Sequence, residues 1–338
     1  MSPKPVVVSA GYMPLDVITN HDSVIHQAGG TAANVAAILA YLGWRSVLAG
    51  KTGDDYAGQV LVDDLCGAGV DTSQIRRQSG MATPRLIHSV RPDGHSFAYT
   101  CPECRLRLPR SRALTVEQAQ TCAAKHPCAD VYFFDRANAG SLTLAEHYAR
   151  AGSVIVFEPS VPANAELLRR AAAAAHVIKH SDDRSVGGLD DIGVRPRRSQ
   201  LRIVTHGAEG LELRVGAGRP RRFPALATLA VDTGGAGDWT TAGLIAVAAR
   251  GRELSEEAID DGVRFGQALA ALSCTALGAR GLMRLTRRTV LRRARAAIAE
   301  GGVTSEPRFG DAPARAAPSG CATCLLPESA SALIAAAG

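Results

Sequence analysis

The chain has 338 residues, 46% of them apolar and 21% charged, with a net charge of +6. This supplies one large α/β core, and Arg scattered among Asp and Glu rather than gathered in a block suits an anionic ligand such as a nucleotide. Only 4% of residues are aromatic and no RNP, KH or zinc-finger spacing occurs, so nucleic acid is not the expected partner; no run reaches the roughly 18 apolar residues of a membrane span, and MSPKPVVVSAGYM lacks a charged segment ahead of an apolar one, so a cytoplasmic protein is expected.

From residue 4 to about 300, short β-branched runs alternate with Ala-rich amphipathic runs, the signature of a parallel sheet flanked by helices. PVVVSAG (5–11) reads as the first strand, and a helix follows from Thr31 to a terminal Gly43. SVLAG (46–50) is the next strand. Ala49-Gly50-Lys51-Thr52 imitates the end of a Walker A loop, but the required glycine at 45 is Arg45, which excludes a P-loop. RLIHSV and HSFAYT alternate around Arg91-Pro92-Asp93-Gly94, predicting an antiparallel hairpin that projects as a lid, with Arg85, His88 and Phe97 either contacting a ligand beneath it or serving as ordinary strand residues. Thr115 with Gln118 forms a capping-box pattern ahead of a helix. DVYFF (130–134), SVIVFEP (153–159), HVIK (176–179) and LRIVTHG (201–207) are strands, with helices near 141–151, 163–175, 237–250, 255–276 and 287–300. Beyond about Thr304 the sequence is rich in Pro, Ala and Gly, predicting an extended tail without a core. The expected organisation is a domain over 1–303, including a lid formed by about 12–27 and 83–105, and a tail over 304–338.

Two segments carry chemistry. Val231-Asp232-Thr233-Gly234-Gly235-Ala236-Gly237-Asp238 opens directly onto a helix. Glycines let the backbone approach a phosphate, amides at a helix N-terminus form an anion hole, and Asp238 is placed to accept the proton of an attacking hydroxyl. A glycine turn with an Asp as simple N-cap would look the same in isolation. The second segment is Gln27-Ala28-Gly29-Gly30-Thr31-Ala32-Ala33-Asn34, followed by Gly53-Asp54-Asp55-Tyr56-Ala57-Gly58. Here Gly29, Gly30, the Asn34 amide and the Asp16 carboxylate are suited to a polyol, although each alone also reads as an ordinary turn, helix or loop residue.

Together, GG-x-x-x-N followed by G-D-D-x-x-G, and D-T-x-G-A-G-D some 200 residues later, resemble the two signature regions of the ribokinase, or PfkB, carbohydrate kinase family. The resemblance spans about residues 5–300 and implies a doubly wound, mostly parallel α/β sheet flanked by helices with a small antiparallel β lid. It implies an ATP- and Mg²⁺-dependent phosphotransferase acting on an alcohol of a sugar or nucleoside. Asp238 would be the base, Gly235, Ala236 and Gly237 the anion hole, and Asp16, Gly29, Gly30 and Asn34 the acceptor site. Thr205-His206-Gly207-Ala208-Glu209-Gly210 resembles the family's T-x-G-x-x-G turn against ATP, which assigns Thr205, Gly207 and Gly210 to the nucleotide together with Lys179, His180 and Asp183. GQALAALSCTALGARG resembles the segment closing over adenine, and Asp232 stands at the family's monovalent cation (K⁺) position. The chain departs from the family at His180-Ser181-Asp182-Asp183, where N-x-x-E is usual, at Glu158-Pro159-Ser160 in place of D-P-N, and at Thr240, where an aromatic residue is common. These departures motivate a second reading, an inactive ribokinase-like ligand-binding or scaffold protein. Exposed lid edges would allow a homodimer.

Eight cysteines in a long chain without a secretory start argue for metal or reduced thiols over a disulfide framework. Cys101-Pro102-Glu103-Cys104 and Cys321-Ala322-Thr323-Cys324 each offer two thiolates, and together would complete a Cys₄ structural Zn²⁺ site. Disulfides within each pair and unrelated thiols are the competing readings, since Cys321 stands 217 positions after Cys104. Cys66, Cys122, Cys128 and Cys274 are expected to be packing residues.

Overall fold

The computed structural model describes residues 3–20, 23–91, 94–159, 164–182, 195–250, 252, 254–303 and 320–327. In chain order the elements are β1 (Val6–Ala10), β2 (Leu15–Thr19), β3 (Val24–Ala28), α1 (Thr31–Tyr41), β4 (Arg45–Gly53), α2 (Tyr56–Gly67), β5 (Val70–Gln78), β6 (Arg85–Arg91) and β7 (Gly94–Ala98). There follow α3 (Val116–Lys125), β8 (Val131–Phe134), α4 (Ala139–Arg150), β9 (Val154–Phe157), α5 (Ala165–Ala174), β10 (Val177–Ser181), β11 (Leu201–Thr205), β12 (Leu211–Val215), β13 (Arg221–Phe223), α6 (Ala236–Ala248), α7 (Glu256–Ser273) and α8 (Arg287–Glu300).

Nine strands form one sheet in the order β13-β12-β11-β10-β9-β8-β1-β4-β5, parallel from β5 to β11 and antiparallel through β12 and β13. The continuous apolar runs of β1 and β8 are buried on both faces, as a sheet covered on two sides requires. Alternation splits them between two cores. Val7, Val131 and Phe133 pack on the side of α1, α2, α6, α7 and α8, whereas Val8, Tyr132 and Phe134 pack on the side of α3, α4 and α5. The predicted capping box at Thr115 and Gln118 starts α3. Lys51 and Thr52 lie within β4, in a strand and not a phosphate loop.

The sequence reading passed over α2, which Asp55 N-caps by accepting from Gly58 N at 2.8 Å, and over β5, β12 and β13, whose polar residues obscure the alternation.

A second sheet, β3-β2-β6-β7, covers the carboxyl end of β1. Its two hairpins are antiparallel and its central β2–β6 pairing is parallel. Period-two alternation gives this lid two unlike faces. Asp16, Ile18 and His88 lie toward the segments 232–238 and 278–280, while Val17, Arg85 and Ile87 lie on the opposite face, against Cys101, Leu108, Cys324 and Leu326.

Candidate active site

The two signature segments meet. Asn34, one turn into α1, donates from Nδ2 to Asp238 Oδ2 at 2.7 Å across 204 residues of chain, and both side chains are buried. The glycines before α1 make this approach possible. A Cβ on Gly29 would stand 1.8 Å from Asp16 Oδ2, so Gly29 clears the volume the Asp16 carboxylate occupies. Gly30 has φ 82°, and a Cβ there would lie 2.4 Å from the Tyr12 carbonyl.

At the start of α6, Gly235 takes the left-handed conformation with φ 83°, and its absent Cβ leaves room for Ala279, which would otherwise be 2.5 Å away. Asp232 fixes the turn by accepting from Gly234 N and Gly278 N, each at 2.8 Å, and His88 Nε2 lies 3.6 Å from its Oδ1. Trp239 Nε1 donates to Ala279 O at 2.8 Å. The first turn of a helix leaves backbone N–H groups without intrahelical partners. Among the three expected anion-hole residues, Ala236 is engaged in the turn, its N–H donating to Thr233 O at 3.2 Å.

Lys179 reaches this turn from β10. A Cβ on Gly237 would meet Lys179 Nζ at 3.4 Å, so the glycine keeps the ammonium close to the backbone of the helix start. The buried Nζ donates to Glu158 Oε1 at 2.7 Å, and Thr241 Oγ1 donates to Glu158 Oε2 at 2.6 Å. This Lys179–Glu158–Thr241 group charge-balances a cation in the core. In the sequence, Glu158 stands out only as a departure from D-P-N and as an acid after an apolar strand, and Thr241 carries no signal.

The remaining residues expected at the nucleotide lie at the carboxyl ends of β10 and β11. Thr205 and half-buried His180 are paired in register with neighbours there, Gly207 and Gly210 have φ 54° and 101°, and His206 Nδ1 pairs with Asp182 Oδ2 at 2.6 Å. Asp183 lies outside the described residues.

Two groups went unrecognised. Arg280 is buried, donates to Ala28 O at 2.7 Å and binds Asp64, tying the turn after α7 to the end of β3 and to α2. Asp135, at the end of β8, accepts from Tyr12 N at 2.8 Å, and burial raises its carboxyl to about 6 against the pull of Arg136. Burial likewise pushes Asp16 up to about 7, with Arg280 opposing the rise and Asp238 adding to it.

Two expectations are corrected. Arg85 does not face the acceptor: fully buried on the far face of the lid, it donates to Cys324 O at 2.7 Å, Leu325 O at 3.2 Å and Asp55 Oδ2 at 3.2 Å. His88 and Phe97 do share the cleft-side face, stacked with centroids 4.7 Å apart. Cys66 and Cys128 are exposed rather than packed, unlike Cys122 and Cys274. The four cysteines of the two C-x-x-C pairs come together, with all Sγ atoms within 4.8 Å of one another.

A doubly wound sheet capped by a four-stranded lid is the architecture of known sugar and nucleoside kinases. The chain superposes with TM-score 0.69 and 22% identity on aminoimidazole riboside kinase from Salmonella enterica complexed with aminoimidazole riboside and an ATP analog, covering 87% of this chain and 99% of that one. Fructokinase with bound ATP from Xylella fastidiosa gives the same TM-score and identity over 88% and 99%. In sequence, the chain is 29% identical to a fructokinase of Klebsiella pneumoniae over 272 residues, 74% of this chain and 87% of that protein. It is 28% identical to the aminoimidazole riboside kinase of Salmonella typhimurium over 280 residues, 76% and 85% respectively. Residues 7–285 match the pfkB family carbohydrate kinases, and the chain belongs to that family.

Proposed function

We propose that the protein is an ATP-dependent kinase that phosphorylates a hydroxyl of a sugar or nucleoside-type molecule, with Asp238 as general base. The observation that carries this reading is the 2.7 Å bond between Asn34 and Asp238, which puts the polyol-suited segment and the phosphate-suited turn in one site. The acceptor hydroxyl oxygen bonds to the terminal phosphorus, the bond from that phosphorus to ADP breaks, and the hydroxyl proton passes to Asp238 Oδ. Backbone donors at Gly235 and Gly237 and the Lys179 ammonium meet the charge on the transferred group.

Asp16 orients the acceptor, and its buried carboxyl fits a partner bearing hydroxyls; among the described residues its Oδ1 is buried without a hydrogen-bond partner. The donor set also fits the metals the family uses. Mg²⁺ bound with the nucleotide would neutralise phosphate charge, and Asp183 is the residue we assign to it. Asp232 retains lone pairs beyond its two amide bonds, enough for a K⁺ ion beside the turn.

Relatives named fructokinase and aminoimidazole riboside kinase support an acceptor that is a sugar or a nucleoside-type riboside. The exposed lid edge β7 is the strand we propose for pairing in a homodimer, which sedimentation velocity would read directly. The deciding experiment measures ATP consumption with fructose, aminoimidazole riboside and a panel of sugars and nucleosides. Acceptor-dependent ADP release that disappears in Asp238→Asn is expected. Tight acceptor binding without turnover in the wild type would replace this reading with the inactive, ligand-binding one.

A further inference from the structure

The four cysteines sit in two loops that repeat one another. In the first, Cys101 N donates to Leu106 O at 3.0 Å and Arg105 N to Cys101 O at 3.1 Å; in the second, Cys321 N donates to Leu326 O at 3.0 Å and Leu325 N to Cys321 O at 2.8 Å. In each loop the residue after the second cysteine is left-handed, Arg105 at φ 61° and Leu325 at φ 57°. Bulky residues adopt that conformation only where the surroundings impose it, and the repetition aims both pairs of sulfurs at a common centre.

The sulfur spacing identifies what belongs there. Cys101 and Cys321 Sγ are 3.7 Å apart, and Cys104 and Cys324 Sγ 3.6 Å. A disulfide needs about 2.0 Å. A tetrahedron with metal–sulfur bonds of about 2.3 Å has edges of about 3.8 Å. The close contacts also run between the loops, whereas a C-x-x-C redox disulfide would form within one.

We propose that Cys101, Cys104, Cys321 and Cys324 bind a structural Zn²⁺ ion as a closed tetrathiolate site that staples residues 320–327 to the lid. Four thiol protons leave to solvent as the ion binds, and no electron is transferred. Glu103 Oε2, which accepts from Cys321 Sγ at 3.3 Å and Thr323 N at 3.2 Å, keeps the second bond once that thiol is ionised.

The staple sits on the face of the lid turned away from the cleft and grips it at two more points. His26 Nε2 lies 2.7 Å from Thr323 O, and Arg85 links Cys324 O and Leu325 O to Asp55 at the start of α2. Cys321 and Cys324 fall beyond residue 285, where the family match ends, whereas Cys101 and Cys104 lie within it. Its role is to order the outer face of the lid, whose small cluster of Val17, Ile87, Leu108 and Leu326 provides little apolar burial of its own.

The test uses the full chain, produced with zinc in the medium, and reads metal content and intact mass rather than activity. About one zinc per chain is expected, surviving gel filtration with a chelator and released by a thiol-blocking mercurial. Cys104→Ser and Cys321→Ser should each reduce zinc to under a tenth of that value, while Cys66→Ser leaves it unchanged. Because a serine variant can fail to fold, cobalt is exchanged into the wild-type chain as well, where intense sulfur-to-cobalt charge-transfer bands and tetrahedral d–d bands are expected. A wild-type chain that takes up no zinc, one that carries iron in its place, a metal-free mass four hydrogens lighter from two disulfides, or a cobalt spectrum without sulfur bands would each overturn the assignment.

Discussion

The two ends of the cleft are built in different ways. At the proposed phosphate end, Val231 to Asp238 is one contiguous stretch, and its glycines, its Asp232 anchor and the proposed base Asp238 are neighbours in space because they are neighbours in sequence. At the acceptor end, Asp16 comes from β2, Gly29 and Gly30 from the turn into α1, and Arg280 from beyond α7, held together by Asp64 and by backbone carbonyls. The contrast teaches that damage within the contiguous Val231–Asp238 stretch should register in the chemical step with little loss of fold. Damage at the second should register in acceptor affinity, in pH dependence and in stability.

The largest effect that can break this comparison is at Asp238. Asp238→Asn should lower kcat by about 10² to 10⁴, the range for losing a general base, with thermal unfolding little changed because Asn34 can still bond to the new side chain. A large fall in Tm with a smaller fall in kcat would make Asp238 structural. Lys179→Met tests whether the phosphate end is as local as it looks. Removing a buried cation leaves Glu158 uncompensated, worth about 3–5 kcal/mol in urea unfolding; the same variant should raise the nucleotide KM, and Lys179→Met with Glu158→Gln should recover stability without recovering nucleotide affinity.

Asp16 sharpens the acceptor side. With its carboxyl raised to about 7, the group is neutral below that pH, and kcat/KM for the acceptor should fall as pH drops through 7. Asp16→Asn should raise the acceptor KM by about tenfold or more, the scale of a charge-assisted hydrogen bond, and flatten that limb. The stability signature has a definite sign. The folded state holds this proton more tightly than the unfolded chain, whose carboxyl titrates near 3.8, so Asp16 increasingly disfavours folding as pH rises from about 4 to about 7. Asp16→Asn should therefore gain stability relative to wild type across that window, and a constant difference between them would refute the burial argument. The smallest effect is at Phe97, where truncation to Ala removes a stack on His88 worth roughly 0.5–1.5 kcal/mol and should leave kcat unchanged.

Some of what the sequence reading missed was nonetheless available to it. Arg85 and His88 are three residues apart on one strand, so alternation alone places them on opposite faces of the lid, and only one of them can look into the cleft. Phe97 is the cross-strand partner of His88 and shares its face. Other omissions had no local signal. Arg280 follows a Gly-Ala pair in an unremarkable turn, and Thr241 is one of two threonines in a helix; their partners, Asp64 and Glu158, are 216 and 83 residues away.

By itself the sequence determined the alternation of strands and helices, the two glycine-rich segments and the two C-x-x-C pairs. Each of these rests on interactions among residues a few positions apart: side-chain periodicity, glycine φ, helix capping. Only the tertiary structure decided that Asn34 meets Asp238, that Lys179 stands over Gly237 with its charge balanced by Glu158, and that four thiols from opposite ends of the chain converge behind the lid. Those pairings depend on sheet order and on which face each strand turns to its neighbour, and both are fixed when the two cores close on opposite sides of the central sheet.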